Sequence, residues 1–279
     1  MTGAASRAVK IALCIPAYGP TAAKFTHSLA NMIIHFLSAR LAGRDGEAVK
    51  PELATFIVSC SMLTESRHRL VAEALAWEAD HMLCLDADHV FPADALLRLL
   101  AHNLPAVGCN YARRFTPTAP TAAIGEWAEN DSGSASGAGV PRLVYTTKEK
   151  AEQRLVEPVA HLGFGLLLLD MRIFDALQAK AEEQDDGNFL PLFKFEPTAN
   201  KIGMIGEDVF FFRKLAEAGI RPFVDHGLSW EIGHLSEIIL TNGHAVAQRE
   251  QWLDHCRKRA RKFEARAAEV EQRAEEGMA

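Results

Sequence analysis

Paired cysteines, an excess of basic charge and long apolar runs are all missing from this sequence of 279 residues. An odd number of cysteines without paired spacing predicts reduced, buried thiols and argues against a disulfide framework or a zinc site. The cysteines are Cys14, Cys60, Cys84, Cys109 and Cys256. Lysine and arginine total 30 and aspartate and glutamate total 36, so the net charge of −6 gives no support for nucleic acid as the main partner.

Membrane and export signals are also missing. No apolar run reaches the roughly 18 residues that a membrane span requires. The N-terminus is short and polar, without the apolar core of a signal peptide. These absences predict a cytoplasmic protein. An acidic enzyme that handles an anionic nucleotide needs local positive charge, and a metal ion supplies it most economically.

What is present has the composition of a globular protein, with 48% hydrophobic and 24% charged residues. The first half alternates apolar runs with helical patterns, which predicts strand–helix–strand units and a largely parallel sheet flanked by helices. We predict strands at residues 11–16, 55–60, 81–85 and 106–111, and helices at residues 27–41, 66–77 and 94–100. A buried strand at 163–169 and helices at 173–182 and 207–218 follow. Together these form one α/β domain over residues 8–244.

Two segments depart from this pattern. Residues 115–140 are rich in Pro, Ala, Gly and Ser, and we interpret them as a long flexible insertion that acts as an acceptor lid. Residues 245–279 form a highly charged tail of helical character, with Trp252 and Cys256 on one side. Packing on the domain or pairing with a second subunit is favoured for this tail over contact with a membrane surface, because its acidic end offsets its basic cluster.

The pair Asp86 and Asp88 is the strongest chemical signal, because it directly follows the apolar strand of residues 81–85. Ligands of open α/β sheets bind at the carboxyl ends of the strands. Two carboxylates at that point predict a site for Mg²⁺ or Mn²⁺, which take oxygen ligands together with substrate phosphates. The structural alternative is that Asp88 or Asp94 caps the next helix and Asp86 is a solvated strand end.

Two further signals lie downstream. Glu207 and Asp208 open an aromatic-rich helix, where an ionised, partly desolvated carboxylate can accept a proton from a sugar hydroxyl. His234 is a candidate third metal ligand, in competition with His226 and His244. The alternatives are that the two acidic residues are helix caps and that the histidine is structural.

In this order and spacing, these signals resemble the GT-A-fold glycosyltransferases of the family-2-like type. The resemblance covers residues 11–235: the opening strand, the DxD segment with its helix, a glycine-flanked apolar strand, and an acidic helix followed by a returning strand and a histidine. It implies a GT-A-type nucleotide-diphospho-sugar transferase fold. It also implies a metal-dependent enzyme that transfers a sugar from a nucleotide-diphospho-sugar to the hydroxyl of a carbohydrate, lipid or protein acceptor.

The resemblance also implies residue roles. The metal ligands would be Asp86, Asp88 and His234, and the catalytic carboxylates Asp208, as general base in an inverting reaction, and Glu207. The nucleotide-binding residues would be Pro16, Ala17, Tyr18, Arg67, Asp86, Ala87 and Asp88. For Arg67 the alternative is a solvated helix residue. The second strand lacks the acidic residue that commonly follows it, and position 68 is a histidine instead of a smaller polar residue, so the nucleotide stays open.

Two other readings compete with a transferase. The first is another nucleotide-handling enzyme, either a nucleotidyltransferase or a HAD-type phosphatase with Asp86 as nucleophile. A nucleotidyltransferase usually has a Gly-rich basic loop after its first strand, and a HAD-type phosphatase usually has its DxD motif on the first strand. This sequence shows neither feature. The second is a non-catalytic protein that binds a sugar nucleotide.

Overall fold

The computed structural model describes residues 8–42, 47–124, 142–183, 191–197, 204–236 and 239–276. Residues 125–141, most of the insertion expected at 115–140, lie outside this description. The acceptor-lid role of that insertion therefore stays a prediction.

The described residues form a mixed α/β fold around one large sheet. Eight strands pair in the order β2-β3-β1-β4-β8-β6-β11-β7, and β10-β9 and β12-β5 form two small ribbons. The strands are β1 (Ala8–Pro16), β2 (Leu41–Ala42), β3 (Ala48–Val58), β4 (His81–Leu85), β5 (His89–Val90), β6 (Ala106–Gly108), β7 (Val156–Pro158), β8 (Leu166–Asp170), β9 (Glu196–Pro197), β10 (Met204–Ile205), β11 (Phe223–Asp225) and β12 (Gly233–His234).

The large sheet is mostly parallel, as predicted. Strands β3, β1 and β4 run in one direction. Strand β6 shares it, because β4 and β6 are both antiparallel to β8, and β11 is parallel to β6. Strands β2, β7 and β8 run the opposite way. The predicted buried strand at residues 163–169 is β8, which enters the sheet antiparallel between β4 and β6.

Helices cover both faces of the sheet. They are α1 (Ala23–Leu37), α2 (Leu63–Ala76), α3 (Ala95–Ala101), α4 (Lys148–Glu152), α5 (Arg172–Glu183), α6 (Glu207–Glu217), α7 (His226–Glu231), α8 (Asn242–Ala247) and α9 (Arg249–Glu276). The backbone of Gly219, which has a φ of 73°, ends α6 in the left-handed conformation that glycine adopts at low cost.

Side chains of the central strands alternate between two cores. Along β1, Leu13 and Ile15 face the core under α1 and α3, whereas Ala12 and Cys14 face the core under α2, α5 and α6. Strands β4 and β8 alternate in the same way. A strand buried on both faces reads as a continuous apolar run, which is why the sequence indicated these strands so clearly.

The charged tail predicted at residues 245–279 is helical, with α8 ending and α9 beginning around residue 248. Trp252 is buried against the domain, which is the self-packing that the sequence analysis considered. Across the described residues, none of the helices combines the length and apolarity needed to span a membrane.

Candidate functional site

The carboxyl ends of β1 and β4 lie side by side. The two strands are parallel neighbours with Cys14 opposite Cys84, so Pro16 and Asp86 follow at the same edge of the sheet. This is the edge at which ligands of open α/β sheets bind. The sequence-predicted residues of both strands therefore belong to one surface.

The residues after β1 differ in their accessibility. Ala17 is buried and donates its amide to the carbonyl of Val58 at 3.0 Å. Tyr18, by contrast, is 85% exposed. Its ring is thus open to a ligand, and its role in binding a nucleotide stays a prediction.

A cluster of one carboxylate and two imidazoles lies beyond β4. His89 of β5 pairs with His234 of β12 across an antiparallel ribbon, and their rings stack with centroids 4.3 Å apart. The amide of Leu235 donates to the carbonyl of Asp88 at 2.7 Å, which ties the ribbon to the end of β4. One ligand atom from each of Asp88, His89 and His234 lies within 4.8 Å of the others. We refer to these three residues as the Asp-His cluster.

The orientation of His234 is fixed by the backbone. Its Nδ1 lies 2.9 Å from the carbonyl oxygen of Ala112 and so donates a proton to it. In a neutral imidazole the other nitrogen carries a lone pair, and this Nε2 faces Oδ2 of Asp88 at 3.4 Å. Two lone pairs facing each other repel, so this contact requires a proton or a metal ion between the two atoms. Histidines that bind metals usually donate their second ring N–H in this way.

His89 is completely buried, yet neither of its ring nitrogens has a hydrogen-bond partner among the described residues. Its Nδ1 lies 2.9 Å from Oδ1 of Asp88, which is close enough for an ion pair but lacks hydrogen-bond geometry. A buried polar atom without a partner costs roughly 1–3 kcal/mol. A metal ion bound by the Asp-His cluster would give Nδ1 of His89, the nitrogen that faces Asp88, a partner, so the residues fit such an ion.

Asp88 is ionised at neutral pH. Burial alone would raise the pKa of its carboxyl, but contacts with His234 and His89 outweigh burial and hold the pKa well below its usual range. Arg114 adds a further contact, with Nη1 at 2.9 Å from Oδ2 of Asp88. This guanidinium is more than half exposed, so its ion pair contributes little to stability.

Asp86 lies outside the Asp-His cluster and pairs with Arg67. The Arg67 guanidinium is 3.3 Å from Asp86 and 3.4 Å from Glu207, and it stacks on the ring of Phe164 at 4.4 Å. Burial alone would lower the pKa of Arg67, but the two carboxylates raise it. Arg67 is only 5% exposed, so the alternative of a solvated helix residue is wrong.

The two acidic residues at the start of α6 have different environments. Glu207 is buried and engaged by Arg67; burial raises the pKa of its carboxyl and Arg67 partly opposes this. Asp208 is half-buried, and its Oδ1 accepts the Val209 amide at 2.7 Å. Burial also raises the pKa of Asp208, against the opposing effect of that hydrogen bond. Asp208 is therefore the better placed of the two to take up a proton.

Two glycines make room for the buried rings of the site. Tyr111 accepts the amide proton of Gly165 on its hydroxyl at 3.1 Å. A Cβ atom on Gly163 would lie 2.1 Å from the Tyr111 hydroxyl, and one on Gly165 would lie 2.5 Å from Nε2 of His89. These close approaches explain why the segment before β8 carries glycine at both positions.

Replacing Gly165 with alanine should therefore disturb His89 directly. We expect a loss of unfolding free energy of about 1–3 kcal/mol from overpacking, together with weaker Mn²⁺ binding. The control is Gly243→Ala in α8, where a Cβ would make ordinary contacts of 3.5 and 3.8 Å. That variant should be neutral or slightly stabilised, because alanine favours helix. Urea unfolding measures the stability of both variants. Equal unfolding free energies for Gly165→Ala and Gly243→Ala would contradict the packing argument.

The sequence analysis missed four residues of this region, His89, Tyr111, Arg113 and Arg114. His89 follows Asp88 directly, so its neighbourhood was available as a signal. The two arginines follow the strand-like run that ends at Tyr111, and a basic pair at the carboxyl end of a strand was a second signal.

The junction of α8 and α9 and the first turn of α9 contact the loop that carries these arginines. The Trp252 ring packs against Phe115 with centroids 5.5 Å apart. The side-chain carbonyl of Gln248 accepts the amide of Thr118 at 2.9 Å. Residues 245–279, assigned to a separate tail by the sequence analysis, thus contribute contacts to the site; the boundary itself stays a prediction.

Comparison with known proteins adds little to this geometry. No protein-family model matches the sequence, and no curated protein is significantly similar to it. Solved structures share its general outline. One is the crystal structure of A197 from STIV, with 13% identity and a TM-score of 0.45 over 84% of this chain and 91% of that chain.

A second is the crystal structure of GalNAc-T7 with UDP, GalNAc and Mn²⁺, with 12% identity and a TM-score of 0.46. That match covers 82% of this chain, which spans only 44% of the GalNAc-T7 chain. Both TM-scores are low, so neither a residue role nor an activity is taken from these proteins.

Proposed function

We propose that this protein is a metal-dependent glycosyltransferase that moves a sugar from a nucleotide-diphospho-sugar donor to a hydroxyl acceptor. The observation that carries the proposal is the Asp-His cluster just after β4, where Arg67 also joins Asp86 to Glu207 at the acidic start of α6. The ordered resemblance to GT-A glycosyltransferases of the family-2-like type agrees with this placement.

Asp88 and His234 would hold the metal ion, with His89 as a further ligand that was not predicted from the sequence. Asp86, predicted as a ligand, pairs with Arg67 and would need to turn away from it to join the ion. When bound, the divalent ion supplies Lewis-acid stabilisation of the negative charge on the leaving nucleoside diphosphate.

The donor set favours Mn²⁺ over Mg²⁺. Mg²⁺ takes oxygen ligands and keeps several waters, whereas first-row transition ions also bind imidazole, Mn²⁺ the most weakly of them. Two imidazoles beside one carboxylate therefore shift the choice towards Mn²⁺. The sequence alone left both ions open.

Asp208 acts as the general base. Its carboxylate accepts the proton of the acceptor hydroxyl while that oxygen forms the new bond to the anomeric carbon. The bond from that carbon to the diphosphate oxygen breaks, and its electron pair leaves with the nucleoside diphosphate. Attack opposite the leaving group inverts the anomeric configuration. Glu207 stays bound to Arg67 and holds the start of α6 in place.

A thermal-shift panel tests this function. UDP-, GDP-, CMP- and dTDP-sugars are each added with Mn²⁺, with Mg²⁺ and with EDTA. The true donor should stabilise the protein by about 2.7 kcal/mol at a hundredfold excess over its dissociation constant, and only with metal. Release of the nucleoside diphosphate then separates an enzyme from a non-catalytic binder, which would show the shift without turnover. If none of these donors stabilises the protein in the presence of metal, the proposed function is wrong.

A further inference from the structure

Arg113 carries a positive charge that has no ion-pair partner in the part of the chain that the structure describes. Among the described residues, no carboxylate forms an ion pair with its guanidinium and no acceptor forms a hydrogen bond with it; the guanidinium carbon lies 5.9 Å from the centre of the Trp252 ring. The neighbouring Arg114 differs, since it is paired with Asp88. A half-buried guanidinium with five N–H donors and no acceptor is typical of a site for an anion.

The position of Arg113 is fixed before any ligand arrives. Its amide donates to the carbonyl of Ala119 at 2.9 Å, and its carbonyl accepts the hydroxyl of Thr118 at 2.7 Å. Trp252 of α9 covers the guanidinium from one side. A fixed backbone and a ring beside the guanidinium reduce the conformational freedom that the residue loses on binding, which favours affinity.

Arg113 stays charged although it is half-buried, because a guanidinium is not deprotonated in proteins. Burial lowers the pKa of Arg113, and the nearby Asp208 carboxylate opposes that effect. His161 lies within electrostatic range; burial lowers its pKa to about 4, and the charge of Arg113 acts in the same direction. His161 is therefore neutral at pH 7, and Arg113 is the cation that an anion would meet beside Asp208.

We infer that Arg113 binds an anionic group, a phosphate or a carboxylate, on the acceptor substrate. The word acceptor rests on the proposed function, in which Asp208 takes the proton of the acceptor hydroxyl. Among the carboxylates that act electrostatically on Arg113, Asp208 has the largest effect. Arg114, by contrast, is paired with Asp88 of the Asp-His cluster. An anion on Arg113 would thus place the rest of its molecule next to Asp208 and not on the donor diphosphate.

The first experiment measures anion binding without metal, so that phosphate cannot bind through Mn²⁺. Inorganic phosphate and acetate are titrated by calorimetry into the full-length protein in EDTA. Loss of a charge-assisted pair should weaken phosphate binding roughly ten- to a hundredfold in Arg113→Met. Arg113→Lys, which keeps the charge but loses the planar fork, should lie between. Arg249→Met is the matched control, because Arg249 is an exposed arginine stacked on the Tyr145 ring at 5.1 Å.

The second experiment uses pairs of acceptors that differ only in one phosphate or carboxylate, such as glycerol and glycerol 3-phosphate. The wild type should prefer the anionic member through a lower KM, and Arg113→Met should lose that preference while donor hydrolysis in water is unchanged. Equal phosphate binding by wild type and Arg113→Met, or a preference that survives the substitution, overturns the inference. If phosphate binding depends on Arg113 but no donor is ever turned over, the anion site stands and the transferase function fails.

Discussion

Asp88→Ala should abolish Mn²⁺ binding and, with it, the metal-dependent stabilisation by the donor. Asp88 supplies the carboxylate of the Asp-His cluster, and its two oxygens face His89 and His234. Removing an outer-shell partner of a metal ligand already costs roughly ten- to a hundredfold in affinity. Loss of the ligand itself should cost at least about a hundredfold. Calorimetric titration of Mn²⁺ into the wild type and the variant measures it.

Two further variants make this result specific. Asp94→Ala removes a carboxylate just before α3 whose closest basic partner, Arg98, lies 3.8 Å away, and it should bind Mn²⁺ like the wild type. Asp86→Asn tests the DxD prediction directly: a loss as large as that of Asp88→Ala would show that Asp86 leaves Arg67 to join the metal. If the donor and Mn²⁺ stabilise Asp88→Ala as much as the wild type, the assignment of Asp88 as a metal ligand is wrong.

The sequence predicted the elements that are buried on both faces. The strand expected at residues 81–85 is β4, His81–Leu85, because an apolar run flanked by polar residues leaves little choice of boundary. The helix expected at residues 207–218 is α6, Glu207–Glu217, closed by the expected Gly219. Such local signals also located the carboxyl end of β4, and with it the general position of the site.

The composition of the metal cluster depends on contacts that are distant in sequence, and the sequence did not reveal it. β5 and β12 have two residues each, too few for any periodic pattern. Simple alternation along a strand would also send His89 to the face opposite Asp88. The chain instead turns over residues 86–88, which brings the two neighbours together.

The burial of Arg67 also depends on residues that are distant in the sequence. A charged residue early in a helix usually reads as solvated, because arginine is rarely buried without a partner. Its partners Asp86 and Glu207 come from β4 and α6, and only the folded chain places all three together. His68, unexpected at its position, has a structural role as well: its Nε2 accepts the amides of Leu192 and Phe193.

Asp208→Asn should stop sugar transfer while leaving donor binding intact. An amide cannot accept the proton of the acceptor hydroxyl, and general-base catalysis typically contributes roughly a hundred- to ten-thousandfold to a rate. We therefore expect kcat to fall by that factor at saturating donor and acceptor. The metal-dependent thermal shift should remain, because Asp208 is not part of the Asp-His cluster. Glu207→Gln is the companion variant and should lower stability more than chemistry, since Glu207 is buried against Arg67.

The pH dependence of the wild type supports or rejects the same role independently. A base works only when deprotonated, so kcat/KM should fall as the pH drops through the pKa of Asp208. Burial raises that pKa above the ordinary value for aspartate, so the fall should begin at a higher pH than a solvated aspartate would give. The acid limb of the profile should vanish from the residual activity of Asp208→Asn. If that variant keeps full turnover, or keeps the same acid limb, another group accepts the proton and Asp208 is only a helix-terminal acid favoured by the dipole of α6.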